Sequence, residues 1–419
     1  MSSKVQTIRG TKDLYGEEQI SFDYIVANAQ HIGSLYGFEH LTTPIIEFSE
    51  VFDRSLGETS DVVNKEMYTF TDRGGDSITL RPEFTASVCR AFISNGLDHQ
   101  IPLKFFSHGP LFRYERPQKA RQRQFHQLNF EVLGVSSFRA DVELIVLATH
   151  LLKKLGIDSK VELNINSLGC HKSRLAYRTA LVEYLSKYFS ELSDESKIRF
   201  EKNPMRILDS KDENDQKIIQ SAPMIDQYYT DEARIFYDNI LQSLSDKGIE
   251  YIKNPKIVRG LDYYTHTAFE FVTSELGAQG TVLAGGRYDS LIRNLGGKDV
   301  AGVGFASGIE RLMLLLEKGP SSKRPITIIP ISPQQYGYAS SLVDVLRFND
   351  FTIYFDLDDN IDNSKRMKKA LACNSKFVLF IGENEVLNNS VMIKDLDNRE
   401  QIEIKNNDLI DHLHLYKSF

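Results

Sequence analysis

Residues 111–134, LFRYERPQKARQRQFHQLNFEVLG, carry charge and amides where a sheet should carry apolar side chains. Counting outward from Phe125, the positions Phe125, Gln127, Asn129 and Glu131 share one face of a strand, and Leu128, Phe130 and Val132 share the other. The second face is ordinary core. The first sets amides and a carboxylate on a strand with an apolar back. That is unfavourable if the face is buried and empty, and sensible if it lines a pocket for a polar ligand. Between the two strands of this hairpin lie Arg113, Glu115, Arg116, Lys119, Arg121 and Arg123, five cations against one anion in eleven residues. Pro117 and Ala120 stand where the loop turns. A basic loop over a polar strand face points to a polyanionic substrate held against a small polar one.

A chain of 419 residues exceeds what one hydrophobic core serves, so two or three domains are expected. No apolar run approaches the roughly 20 residues that span a bilayer. The start, MSSKVQTIRGTKDL, has no apolar signal core and predicts a cytosolic protein without a membrane partner. Three widely spaced cysteines, Cys89, Cys170 and Cys373, supply neither a disulfide framework nor a cysteine zinc site, and fit a reducing compartment. The formal charge of −7 argues against a non-specific nucleic-acid coat. It leaves room for an RNA contact through a local basic patch, because fields are local at physiological salt.

Along the chain, an irregular arm at 6–16 leads into a helix with apolar spacing at Ile20, Tyr24, Ala27, Ile32 and Leu35. A short strand near Pro44 follows, equally readable as a dimer element or a sheet edge. EMYTFTD and DSITLRP alternate around a Gly-Gly turn and predict a hairpin. Arg81-Pro82-Glu83-Phe84-Thr85 then opens a helix over 85–94. Thr85 can cap that helix, and Glu83 stands before its positive end, so capping is the plain reading of both. From 171 to 245 the chain is charged and helical, an insertion that leaves a sheet and returns to it. On the return, Arg259-Gly260-Leu261-Asp262 precedes Tyr263-Tyr264, and strand alternation sets Tyr264 with His266 and Tyr263 with Thr265. Gly285 and Gly286 in AGGRYD permit close backbone approach to a ligand or simply tight turns. Neither a P-loop nor a GxGxxG unit is present. In GIERLMLLLEK, Arg311 stands in the first helical turn, where the dipole disfavours a cation; it is either solvated or turned toward an anion. GPSSKRP reads as a linker, and beyond it strands and helices alternate as a small α/β module. Lys365, Arg366, Lys368 and Lys369 form a basic helical cluster there, either a solvated face or an RNA contact.

Five blocks, LRPEFTA (80–86), FRYERPQKARQRQFHQ (112–127), RGLDYY (259–264), AGGRYD (284–289) and GIER (308–311), together resemble the histidyl-tRNA synthetase family. FRYE through FHQ resembles motif 2 of the class II aminoacyl-tRNA synthetases and GIER resembles motif 3, while RGLDYY is associated with the histidine enzymes. The likeness runs from RGTKD at 9–13 to the terminal module. It implies an α+β fold, with an antiparallel-sheet catalytic domain over 1–170 and 246–320. A helical insertion at 171–245, a linker at 321–325 and an α/β anticodon-binding domain at 326–419 complete that expectation.

The same resemblance implies roles for individual residues. Arg113 would hold the α-phosphate of ATP, Arg121 and Arg311 the outer phosphates, and Phe125 would stack on adenine, with Glu115 near the adenine or the acceptor end. Glu83, Thr85, Gln127, Glu131, Tyr264 and Tyr288 would line the histidine pocket, Glu131 and Tyr264 reading the imidazole nitrogens. Arg259 would bridge the substrate carboxylate and the α-phosphate. Arg116 and Gln118 would meet the acceptor end of histidine tRNA. Mg²⁺ would ride mainly on phosphate oxygens, since the ten histidines show no metal-ligand spacing. A homodimer is expected. The chain departs from the family pattern at Phe84 and Ala120, where glycines are usual, and at Gln122, where an aromatic is common. The alternatives are a synthetase-like, histidine-sensing regulatory subunit of histidine biosynthesis, and an RNA-binding scaffold with a dead site.

Overall fold

The computed structural model describes residues 4–56, 62–118, 120–257, 263–277, 280–317, 319, 324–357 and 362–416. Arg259 and Lys119 lie outside the described residues. The chain forms two compact units, residues 1–319 and 320–419.

The first unit is built on an eight-stranded sheet. Its order runs Glu39–His40, Leu103–Phe112, Gln124–Leu133, Gly302–Gly308, Thr281–Arg287, Thr265–Val272, Glu162–Ser167, Ile252–Lys253. The two outermost pairs are parallel and every pair between them is antiparallel. The hairpin expected at 111–134 is the heart of it, with Phe112 opposite Gln124 and Leu103 opposite Leu133. Leu128, Phe130 and Val132 face a core shared with the helices Glu17–Leu35, Phe138–Lys154, Asp231–Asp246 and Ile309–Leu315. A second core on the same unit joins helices Ser49–Leu56 and Thr85–Ser94 to Tyr263, Tyr264, Tyr288 and Leu291. The polar strand face opens between these two cores.

The expected alternation at 263–269 fails. The regular strand starts only at Thr265, and His266 takes φ 46°, in the left-handed region that non-glycine residues avoid. The ladder shifts at this point, so that Gly286 opposes Ala268 while Arg287 opposes Thr265. Both tyrosines therefore turn the same way, their rings in tilted contact with centres 4.6 Å apart, and the imidazole of His266 packs instead on Phe236.

The charged stretch 171–245 is helical, with its own small core of Tyr177, Leu181, Leu185, Leu192, Ile207, Ile218 and Ile225. Its last helix behaves differently. Asp231–Asp246 sends Ile240, Leu241 and Leu244 into the main core, so independent packing ends near residue 230.

The second unit is a five-stranded mixed sheet in the order Ile353–Phe355, Ile326–Pro330, Phe377–Ile381, Ser390–Asp395, Gln401–Lys405. The strand Gln401–Lys405, in which Ile402 and Ile404 alternate with polar residues, and the short helix Glu383–Asn388 belong to this unit as well. The basic cluster on helix Asn363–Ala372 is not a uniform patch. Arg366 is buried and donates Nη1 to the Pro330 carbonyl at 3.1 Å, and Lys369 pairs with Asp356 at 2.8 Å. Of the four, Lys365 and Lys368 stand in solvent.

Candidate active site

A cavity of about 340 Å³ opens over the polar face of the hairpin. Glu83, Thr85, Arg113, Glu115, Arg121, Phe125, Gln127, Tyr264 and Arg311, each expected from sequence, all line it, together with Asn129, Tyr263, Gly304 and Glu310. Glu131 and Tyr288 stand just behind that wall. Arg116 and Gln118 are exposed on the loop, away from the cavity.

One end of the cavity is built for a polar side chain. Glu131 is fully buried. Its Oε1 accepts from Thr85 Oγ1 at 2.6 Å and from Asn129 Nδ2 at 2.9 Å, and its Oε2 accepts a short bond from the Tyr288 hydroxyl. A carboxylate offers about four acceptor positions, so three donors leave Oε2 with one to spare. Burial pushes the Glu131 carboxyl up to about 7, and the three donors oppose that shift without cancelling it. The register sets Glu131 opposite Gly304, and Gly304 opposite Gly286. A Cβ on Gly304 would overlap the Glu131 carboxylate, and one on Gly286 would lie 2.8 Å from the Tyr264 ring. Two bare glycines on neighbouring strands thus let a carboxylate and a phenol meet over one floor. In AGGRYD this need, and not a turn, explains Gly286.

Thr85 does not cap its helix. The cap is Glu83, whose carboxylate accepts from the backbone N–H of Thr85 at 2.8 Å and of Ala86 at 2.6 Å. The Thr85 hydroxyl is thereby left for Glu131. Burial raises the Glu83 carboxyl despite these N–H donors and the nearby charge of Arg113. Phe84 resolves simply: its backbone is right-handed, φ −93° and ψ −36°, and its ring lies 4.3 Å from the guanidinium of Arg81. No glycine-only conformation is needed there.

The other end gathers cations. Arg113 donates Nε to the Pro82 carbonyl at 3.0 Å, and its guanidinium stands 5.3 Å from the Phe125 ring. Burial lowers its ordinarily high pKa. Arg311 turns into the cavity, donating Nη1 to the Thr281 carbonyl and Nε to that of Ala120. Burial lowers Arg311 as well, and so do Arg121 and Arg113, which are near enough to repel it. Arg121 is paired through its Nε with Glu115 across the loop. Ala120, where a glycine is usual in the family, holds φ 61°.

Other residues of the site received no role from the sequence. Glu310, beside Arg311, accepts from the backbone N–H of His126 at 3.0 Å and lies 2.8 Å from its Nδ1, tying the hairpin to the GIER helix. Arg287 is fully buried against Asp141, with Asp289 as a second partner, and so anchors the backbone on both sides of Tyr288. The AGGRYD block could have flagged Arg287; Asp141 lies in a helix that reads as plain packing.

Among the described residues no group of three or more His, Cys, Asp and Glu is placed to hold a metal. Each carboxylate lining the cavity already has partners: Glu83 the helix N–H groups, Glu115 Arg121, and Glu310 His126. A magnesium ion would fit only with phosphate oxygens as most of its ligands.

Residues 10–312 match the family model described as histidyl-tRNA synthetase, and 326–414 match an anticodon binding domain. A histidine–tRNA ligase of Rickettsia akari is 50% identical over 402 residues, covering 96% of each chain. One of Rickettsia felis is 49% identical with the same coverage. Among solved structures, the apo histidyl-tRNA synthetase of S. aureus superposes with a TM-score of 0.82 at 32% identity, covering 98% of this chain and 99% of that one. On these grounds the chain belongs to the histidyl-tRNA synthetase family of class II aminoacyl-tRNA synthetases.

Proposed function

We propose that the cavity is where this chain, a histidine–tRNA ligase, activates L-histidine with ATP and passes it to the 3′-terminal ribose of histidine tRNA. The carrying observation is that Arg113, Arg121 and Arg311 converge at one end of a cavity whose other end is lined by Thr85, Asn129 and Tyr264, with the Glu131 carboxylate bonded directly behind Thr85 and Asn129. Histidine lies with its imidazole between Glu131 and Tyr264 and its α-amino group toward Glu83. Gln127 and Thr85 complete the walls, and Tyr288 holds Glu131 from behind. Phe125 stacks on adenine, Glu115 lies near the adenine or the acceptor end, and Arg121 and Arg311 take the outer phosphates.

The histidine carboxylate is ionised at neutral pH and attacks the α-phosphorus without a general base. The bond to the bridging oxygen breaks and pyrophosphate leaves. Like-charge repulsion is the obstacle, and Arg113 with Arg259 meets it by position and charge. Magnesium, when bound to the phosphates, adds further neutralisation. In the second step the ribose hydroxyl attacks the acyl carbon, AMP departs, and a phosphate oxygen of the adenylate takes the proton. A wrong side chain of similar size leaves the spare acceptor position of Glu131 and the Tyr264 hydroxyl without a partner, which is the basis of selection.

Arg116 and Gln118, exposed on the hairpin loop, meet the acceptor end of the tRNA, and the 326–419 module meets its anticodon. The working form is a homodimer in the cytoplasm. Support for the dimer comes from the three-stranded sheet 46–48, 77–80 and 68–71, which leaves Ile46, Phe48 and Phe70 exposed together. No helix among the described residues is long and apolar enough to cross a membrane. The test is exchange of label between pyrophosphate and ATP. Exchange that requires histidine supports the reading, and its absence from a folded dimer favours a non-catalytic chain.

A further inference from the structure

Tyr264, assigned above to the histidine pocket, lies outside the regular strand ladder of the sheet. It precedes the strand Thr265–Val272, and the ladder there is broken by the left-handed His266 and by the shift between Gly286 and Arg287. Its carbonyl has another partner. Arg174, in the first turn of helix His171–Ser186, donates Nη1 to the Tyr264 carbonyl at 2.7 Å. A bond from a guanidinium is stronger than one between neutral groups.

The helix that carries Arg174 is itself fixed at this end. Leu168 N–H donates to the His266 carbonyl at 2.6 Å, and His266 N–H donates to the Gly169 carbonyl at 2.9 Å, extending the sheet to the helix start. Ser173 Oγ accepts from the backbone N–H of Thr230 at 3.0 Å, and the Tyr229 hydroxyl donates to the Ser167 carbonyl at 2.6 Å. Both ends of the charged helical stretch are thus tied together beside the pocket. The Tyr264 ring has fixed neighbours too, with the Tyr263 ring in tilted contact beside it and the bare Gly286 beneath it. What remains to be set is the backbone from which the ring hangs.

We infer that Arg174 is a positioning residue for histidine recognition: from the insertion's first helix it sets the Tyr264 backbone, and so the place of the phenol against the imidazole. The inference rests on the assignment of this cavity to histidine. It adds a specificity role for a residue that touches no substrate, on a segment outside the five sequence blocks.

The test compares wild type, Arg174→Ala, Arg174→Lys, Tyr264→Phe and the Arg174→Ala/Tyr264→Phe double variant in the full chain, by pyrophosphate exchange and by calorimetric titration of L-histidine. Arg174→Ala should weaken histidine binding and raise its KM roughly tenfold, with the KM for ATP within about twofold and kcat little changed. Arg174→Lys should recover part of the loss. In the Tyr264→Phe background the same arginine change should cost less than about twofold, because both act through one hydroxyl. Histidine affinity within about twofold of wild type in Arg174→Ala would overturn the inference, as would an equal rise in both KM values or a full effect that persists without the hydroxyl. If Arg174→Ala does not fold, Arg174→Gln and Arg174→Lys carry the same comparison. A wild-type chain that binds histidine yet exchanges no label overturns the ligase reading and leaves the Arg174 comparison readable.

Discussion

The carboxylate of Glu131 fills the space that a side chain at Gly304 would occupy, one strand away. On the proposed assignment, recognition at this end of the cavity depends as much on an absent side chain as on a present one. Gly304→Ala should displace Glu131 from Thr85, Asn129 and Tyr288. We expect histidine affinity to fall by roughly 100-fold or more, with ATP affinity within a few-fold, because only the histidine end loses its paired groups. Calorimetric titration of each ligand checks this.

Glu131 also makes a pH prediction. Its carboxyl is raised from the ordinary 4.5 to about 7 in the folded chain, chiefly by burial. A raised carboxyl contributes stability that is fully present below about 4.5 and is lost as pH rises through 7. Glu131→Gln removes that loss. Thermal unfolding of variant and wild type should nearly coincide at acid pH. At pH above 7 the variant should be the more stable, by up to roughly 3 kcal/mol. Histidine-dependent exchange should nonetheless collapse, which would mark Glu131 as a group held at the expense of stability.

Ala120 sits at φ 61° in the loop that carries the cations. The left-handed conformation costs an alanine about 1–2 kcal/mol, whereas glycine adds roughly 0.5–1 kcal/mol of unfolded-state entropy. The first effect is at least as large, so Ala120→Gly should leave stability unchanged or raise it by up to about 1.5 kcal/mol. Chemical denaturation measures this, and a clear loss of stability would show that the alanine methyl makes a contact of its own.

Arg116 lies exposed beyond the cavity. Arg116→Ala should leave tRNA-independent pyrophosphate exchange at its wild-type rate and slow the charging of histidine tRNA by roughly tenfold, as loss of a nucleic-acid contact does. Parallel exchange and charging assays separate the two steps. A fall in exchange would put Arg116 in the activation chemistry instead.

The hairpin was readable because its chemistry is local. Period-two alternation in Gln124–Leu133 needs no knowledge of the rest of the chain, and its polar face does line a cavity. Relationships across the fold were not readable. Asp141 and Arg287 are 146 residues apart, and nothing in an apolar helix advertises that one carboxylate will receive a buried guanidinium. The paired tyrosines were misread because strand alternation presumes regular φ, and His266 breaks it without a glycine to signal the break. Arg366 and Lys369 looked like surface charge because composition cannot reveal that a carbonyl and an aspartate wait beside them. Thr85 was read as a cap because the pattern fits; the Glu83 carboxylate takes that position and leaves the hydroxyl to the pocket.

We propose centrally that Arg113, half-buried at the cavity, and Arg259, from the segment before the paired tyrosines, act on one phosphoryl centre. The most direct measurement is equilibrium binding of a non-hydrolysable histidyl-adenylate analogue to wild type, Arg113→Ala and Arg259→Ala, each shown to be folded. Each variant should bind roughly 100-fold more weakly or worse, since on the proposed assignment each removes a charged donor to the same phosphate. Wild-type affinity in either variant would contradict the claim.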